Sequence, residues 1–227
     1  MISRFSFVAA VLTAFTSSYS PMVHPQQMNL KLKTIEELLS LQRAAEAEFA
    51  KTGGTKNWGR AITEPAEVKV AKIHVEDDFQ DLSNWHHEGI GSLSQPIPNV
   101  MQLTCVGSEQ GSRGCIAFCR RDFPDTLSIE FDLRVLSTNG LAITFVASQG
   151  RRGEDMVNEL PKREGTFEDY VFNPRLRSYH VSISRYDDAG KHTGVSNWRR
   201  NPGLFLMSQQ PDLCEVPEKW YHIRIVK

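Results

Sequence analysis

From Val70 onward the apolar residues of this chain recur with a period of two, and that alternation limits the fold more than any other feature. It is cleanest over Leu127 to Leu136. There Ile129, Phe131 and Leu133 face one way, and Glu130, Asp132 and Arg134 the other. Further strands are predicted over Val70 to Phe79, Val100 to Val106, Cys115 to Cys119, Tyr179 to Tyr186, Leu204 to Met207 and Trp220 to Val226. Leu141 to Ala147 is nearly all apolar, as a strand covered on both faces requires. Asp187-Asp188-Ala189-Gly190 reads as a turn. Strands at short intervals with no helix between them predict an all-β, antiparallel sandwich and exclude a βαβ arrangement.

Four different stretches precede this region. Residues 1–20 read as a secretory signal, with Arg4 as its positive head and an apolar run from Phe5 to Phe15. That run is shorter than the ~20 apolar residues a membrane span needs. Ser18-Tyr19-Ser20 supplies the small residues of a cleavage site, and no lipid-bearing cysteine follows. A secreted or periplasmic protein, with no membrane attachment after cleavage, is expected. Residues 21–69 read as a polar spacer, a helix and a linker. The helix spans Thr34 to Lys51. Thr34 and Glu37 form a capping box, Leu38, Leu41, Ala45 and Phe49 recur at helical spacing, and Gly53-Gly54 ends it. Residues 70–227 form the expected sandwich domain. Net charge is −1 and the basic pairs Arg120-Arg121, Arg151-Arg152 and Arg199-Arg200 are scattered, so no nucleic-acid partner is expected.

The four cysteines, Cys105, Cys115, Cys119 and Cys214, permit three pairings in an oxidising compartment. Cys115 and Cys119 have a spacing compatible with zinc on a helix, but no matching His or Cys pair lies elsewhere, so no metal centre is expected. On a strand the two point the same way, too far apart to bond each other. Pairing of one of them with Cys105 is favoured.

Several constellations carry chemical potential. Glu130 and Asp132 share a strand face about 7 Å apart, within the ~6.5–9.5 Å of an inverting glycosidase pair. The next position on that face is Arg134, which leaves the pattern incomplete and a solvated polar face as the alternative. Gly150-Arg151-Arg152-Gly153-Glu154-Asp155 offers Glu154 and Asp155 to a structural calcium ion or to sugar hydroxyls, and Arg151 to a uronate carboxylate. The alternative is an ordinary charged turn. Tyr179, Val181 and Ile183 share one strand face with Arg185, and His180, Ser182 and Ser184 the other. His180 is a candidate general acid or base, or a hydrogen-bonded core histidine. Asn197-Trp198-Arg199-Arg200-Asn201 reads as a loop joining an aromatic platform to amide and guanidinium donors that suit a sugar; a tryptophan anchoring the loop is the alternative. No nucleophile elbow, phosphate loop or dinucleotide fingerprint is present, and no cofactor beyond that calcium is expected.

A set of runs in fixed order carries a resemblance. They are Asp122-Phe123-Pro124-Asp125, Gly140-Leu141-Ala142-Ile143, Gly153-Glu154-Asp155, Lys162-Arg163-x-Gly165, Ser178-Tyr179-His180-Val181-Ser182, Arg185, Asn197-x-Arg199-x-Asn201 and Tyr221-His222-Ile223-Arg224. With the weaker opening Asp77-Asp78-Phe79 and Trp85, they span roughly 73–227. In these the chain resembles the YesU-like proteins, a family of unknown function. The resemblance implies a concanavalin A-like jelly roll and a part in handling acidic plant or algal oligosaccharides, with no established reaction. Gly114 to Cys119 stands where the family carries a His-containing aromatic strand. Family members also continue past the Tyr221 strand, so a C-terminally truncated domain is expected. A lyase would use Tyr179 or His180 as base, with Arg185 or Arg199 neutralising a uronate, and Arg151, Glu154, Asp155, Lys162, Asn197, Trp198 and Arg199 would bind the chain. A polysaccharide lyase or glycosidase, a non-catalytic glycan-binding module and an inactive remnant of a longer protein are the readings carried forward.

Overall fold

A computed structural model describes residues 11–12, 47, 72–105, 114–187 and 189–227. The strands are β1 (Val11–Leu12), β2 (Trp85–Gly89), β3 (Gly91–Ile97), β4 (Val100–Cys105), β5 (Cys115–Cys119), β6 (Ser128–Arg134), β7 (Leu141–Gly150), β8 (Leu176–Ile183), β9 (Val195–Asn201), β10 (Phe205–Pro211) and β11 (Trp220–Val226). One short helix, α1 (Phe167–Val171), lies between β7 and β8. Of the expected N-terminal helix only Ala47 is described, and it is helical. Apart from β1, the signal, spacer and linker lie outside the described residues. No helix among the described residues is long and apolar enough to cross a membrane.

The main sheet runs β1-β7-β8-β9-β10, with every pairing antiparallel. A second layer is the β6–β11 pair, in which Phe131 lies opposite Ile223, and Asp132 opposite His222. The alternation in β6 does what its pattern predicts. Phe131 and Leu133 turn inward and meet Ala142, Val146 and Ile183 of the main sheet, with Ile225 of β11 and Cys214 closing the cluster. Burying a side chain such as Leu133, fully enclosed here, contributes about 1.5–3 kcal/mol. The pairs β2–β5 and β3–β4 complete the strands.

Strand β7 is covered on both faces, as its apolar run requires: Ala142 and Val146 pack toward β6 and β11, while Phe145 packs toward Tyr170 and Leu176. The second covering is the segment between β7 and β8. Its helix starts at Thr166, whose hydroxyl accepts from the Asp169 N–H, while the Asp169 carboxylate accepts from the Thr166 N–H.

Three expectations are corrected. Residues 72–79 form no strand. Asp77 is buried and accepts from the Phe79 N–H at 2.9 Å and from Trp85 Nε1 at 3.0 Å, so its carboxylate organises a turn. The stretch Asn197 to Asn201, expected as a loop, lies in strand β9 (Val195–Asn201). The region is also not helix-free, because of α1. Cys115–Cys119 and Trp220–Val226 are strands as expected, and Asp187 opens the expected turn, its carbonyl accepting from the Gly190 N–H at 2.9 Å.

The chain passes closest to itself where β2 ends, β5 begins and the loop before α1 crosses. The Gly114 N–H donates to the Gly165 carbonyl at 3.0 Å. A Cβ added at Gly165 (φ +85°) would overlap Gly89 Cα and stand 2.8 Å from the Gly114 carbonyl oxygen. Gly165→Ala is therefore expected to lose well over ~1 kcal/mol, since alanine at positive φ is strained before any clash is added. Thermal denaturation measures it; an unchanged melting temperature would refute the crossing.

Candidate functional site

Side chains directly opposite in antiparallel strands share a face. Phe145, His180 and Arg199 therefore line up across β7, β8 and β9, as do Ile143, Ser182 and Asn197. Ser178 pairs with Asn201 in the same way. This gives the main sheet a polar inner face, turned away from β6 and β11. All six polar members, Ser178, His180, Ser182, Asn197, Arg199 and Asn201, are buried.

The bonds along the row fix its chemistry. Asn201 Nδ2 donates to Ser178 Oγ at 2.9 Å and to His180 Nδ1 at 2.9 Å. An imidazole nitrogen that accepts leaves the ring proton on Nε2. Gln209 Nε2 donates to Asn197 Oδ1 at 2.9 Å, and Arg199 NH1 donates to the Leu204 carbonyl at 2.8 Å. Asn201 Oδ1 is buried with no partner. His180 is 1% exposed. Burial and the nearby charges of Arg199 and Arg185 hold its pKa down at about 3. It is a neutral imidazole at physiological pH.

Rings and a buried ion pair roof this face. Phe145 and Phe167 lie 5.3 Å and 6.3 Å from the His180 ring, centroid to centroid. Beside them is a small apolar depression lined by Ile143, Phe145, Phe167 and Tyr170, with Gly165 and the run Gly114-Cys115-Ile116. The roof is anchored by Glu88 of β2. Arg163 grips it bidentately, Nε to Oε2 at 2.7 Å and NH2 to Oε1 at 2.6 Å, and a further NH2 bond reaches the Met156 carbonyl at 2.7 Å. Tyr170 donates its hydroxyl to Glu88 Oε2 at 3.1 Å. Burial and the Glu88 charge push the Tyr170 pKa up, so the phenol stays protonated.

The residues expected to act together are only partly assembled. His180, Asn197 and Arg199 share the inner face. Arg185, expected on the Tyr179 side, lies near enough for its charge to reach His180, and its NH1 donates to the Val195 carbonyl at 3.3 Å. Tyr179 and Trp198 project from the opposite face into the cluster around Phe131 and Leu133. Strand alternation thus separates Tyr179 from His180 by a whole sheet, and Trp198 packs in the interior instead of offering a platform. Arg151 and Lys162 are exposed. Glu154 is occupied by its own loop, where Oε2 accepts from the Arg152 N–H at 2.8 Å. Asp155 Oδ1 accepts from the backbone of Val157 at 2.6 Å and of Asn158 at 2.9 Å. These backbone bonds lower both carboxyl pKa values, and they describe the charged turn. Glu130 and Asp132 lie on the outer face. His222 Nδ1 contacts Asp132 at 2.9 Å, and Arg224 Nε contacts Glu130 at 3.3 Å. Among the described residues no cluster of His, Cys, Asp and Glu is placed to hold a metal ion. Glu88 and Tyr170 were not singled out from sequence, and Arg163 only as part of a matched run.

Two outcomes follow from the geometry. Arg163→Met strands the Glu88 carboxylate in the interior and is expected to lose about 3–5 kcal/mol in chemical denaturation, with Glu88→Gln added to it recovering part. No recovery would mean that the pair does not act as a unit. For His180, NMR of the ring nitrogens is expected to show Nε2 protonated and no titration between pH 5 and 8. Because the folded pKa lies below the unfolded 6.5, the unfolded chain takes up the proton first. Stability is then lost as pH falls from ~6.5 toward 3. His180→Asn is expected to flatten that loss above pH 5; a normal titration near 6.5 would contradict the burial.

The chain is similar to known proteins of undetermined role. A family model described as "Domain of unknown function (DUF1961)" matches residues 73–227. The chain is 27% identical over 152 residues to "Uncharacterized protein YesU" of Bacillus subtilis (strain 168), covering 65% of this chain and 67% of that protein. A solved Bacillus subtilis structure described as a protein of unknown function with a galectin-like fold is 25% identical, with a TM-score of 0.55. That match covers 64% of this chain and 66% of the other, so this chain spans just under two thirds of it. With a family match over most of its length, this chain belongs to the DUF1961 family of YesU-like proteins.

Proposed function

We propose that this protein is a non-catalytic carbohydrate-binding module on a concanavalin A-like jelly roll, exported by its N-terminal segment, and that it takes an acidic oligosaccharide. The observation that carries the reading is the polar inner face. Burying amide, hydroxyl, imidazole and guanidinium groups together costs free energy that an aliphatic face would not. Bonded internally, these groups back the half-buried rings of Phe145 and Phe167, which are the part of this face that a ligand rich in hydroxyls would meet. The galectin-like fold of the solved relative supports carbohydrate as the ligand class. The apolar depression suits the flat face of a sugar ring, which stacks on aromatic side chains such as Phe145 and Phe167. Arg199 and Arg185, whose charges both reach His180, favour an anionic sugar.

Binding without turnover is preferred to a lyase for two reasons. A base with its pKa held at about 3 is poorly matched to proton abstraction near neutral pH. Tyr179, the other base considered, is on the far side of the sheet.

Calorimetric titration with uronate and neutral oligosaccharides tests this. Saturable, salt-sensitive binding to the uronate series is expected, without unsaturated product. Phe167→Ala is expected to weaken it about tenfold, equivalent to ~1.4 kcal/mol, while Trp198→Ala lowers the melting temperature and leaves the affinity unchanged. No acidic saccharide bound, or Phe167→Ala binding like the parent, would refute the module. Appearance of an unsaturated sugar would replace it with the lyase.

A further inference from the structure

The cysteines divide into one close pair and two separate residues. Cys105 ends β4 and Cys115 begins β5. Their sulfur atoms are 3.2 Å apart, unbonded, and the Cys115 backbone N–H donates to Cys105 Sγ at 3.3 Å. Both belong to one small apolar cluster with Leu103, Leu93 and Ala117, which holds the two thiols against each other. Cys119 lies four residues further along the same strand, opposite Trp85. Cys214 is in the cluster around Phe131 and Leu133. Spacing alone left Cys105 to choose between Cys115 and Cys119; the 3.2 Å separation of the Cys105 and Cys115 sulfur atoms makes the choice.

We infer that Cys105 and Cys115 form an intramolecular disulfide, joining the end of β4 to the start of β5, while Cys119 and Cys214 remain thiols. The two strands already bring the sulfurs into contact, so the bond requires only a short closing movement. The co-reactant is an external disulfide, low-molecular-weight or protein-borne. Cys105 is half-buried where Cys115 is buried, so it is the more accessible thiol and reacts first as its thiolate. That thiolate attacks the external disulfide, forming a mixed disulfide and releasing one thiolate. Cys115 then gives up its proton, attacks Cys105 Sγ and expels the second. Two protein thiols are oxidised and one external disulfide is reduced to two thiols.

The bond would act beyond its own strands. Gly114, next to Cys115, donates to Gly165 at 3.0 Å, and Gly114, Cys115 and Ile116 form one wall of the apolar depression. Closing the bond fixes that wall relative to β4. The inference does not depend on what the depression binds.

The experiment equilibrates the purified full chain with oxidised glutathione, alkylates remaining thiols and maps tryptic peptides without reduction. Cleavage after Arg113 and Arg120 leaves Cys115 and Cys119 in one short peptide, so fragmentation must place the link and the label within it. The expected result is a link from Cys105 to Cys115, with the alkyl label on Cys119 and Cys214. The melting temperature should be about 5–10 °C above that of the reduced chain. Cys119→Ser and Cys214→Ser should keep the link and Cys105→Ser should abolish it. A link to Cys119 or Cys214, or alkylation of all four cysteines after equilibration, would overturn the inference.

Discussion

The grip of Arg163 on Glu88 organises this molecule more than any apolar contact does. Glu88 sits on β2, and Arg163 is in the segment between β7 and β8, so two parts of the chain distant in sequence are held by one pair of parallel bonds. A carboxylate this deep is tolerated because its oxygens are met by guanidinium and phenol groups, while the arginine spends a remaining donor on the Met156 carbonyl. The arginine also lies over the rings of Phe118 and Tyr170, at 5.4 Å and 5.8 Å from their centroids. Charge, hydrogen bonding and aromatic packing thus converge on one residue. That convergence holds α1 over the inner face of the sheet.

With the roof fixed, the two faces of the main sheet divide the work. One meets the β6–β11 pair through aliphatic and aromatic groups and supplies the apolar core. The other carries the linked amides, hydroxyls and imidazole under Phe145 and Phe167. The same three strands serve both purposes because successive side chains alternate. A tyrosine and a histidine adjacent in sequence therefore play unrelated parts, one in packing and one in the polar row.

Much of the frame was legible in the sequence. The β6 alternation gave its inward face correctly, and the β7 run gave its double covering, because hydrophobic period reports burial directly. The polar face was legible in part: the alternation around His180 put it on the same side as Ser182. Strand β9 was misread, since Asn-Trp-Arg-Arg-Asn is rich in residues that favour loops and short of β-branched ones. Once it is a strand, Trp198 must turn inward, and the platform it suggested disappears. The ion pair was invisible for a different reason. Glu88 and Arg163 are 75 positions apart, and neither stretch carries a pattern marking a charge as internal.

The crossing of Gly89, Gly114 and Gly165 bears on how variation in this family can be read. Backbone meets backbone there, so Gly89 and Gly165 tolerate no side chain whatever the protein binds. Sequences related by descent would hold such glycines as firmly as catalytic groups, although the glycines have no chemistry of their own. Near the apolar depression, invariance by itself therefore cannot distinguish a ligand contact from a place where the chain has no room.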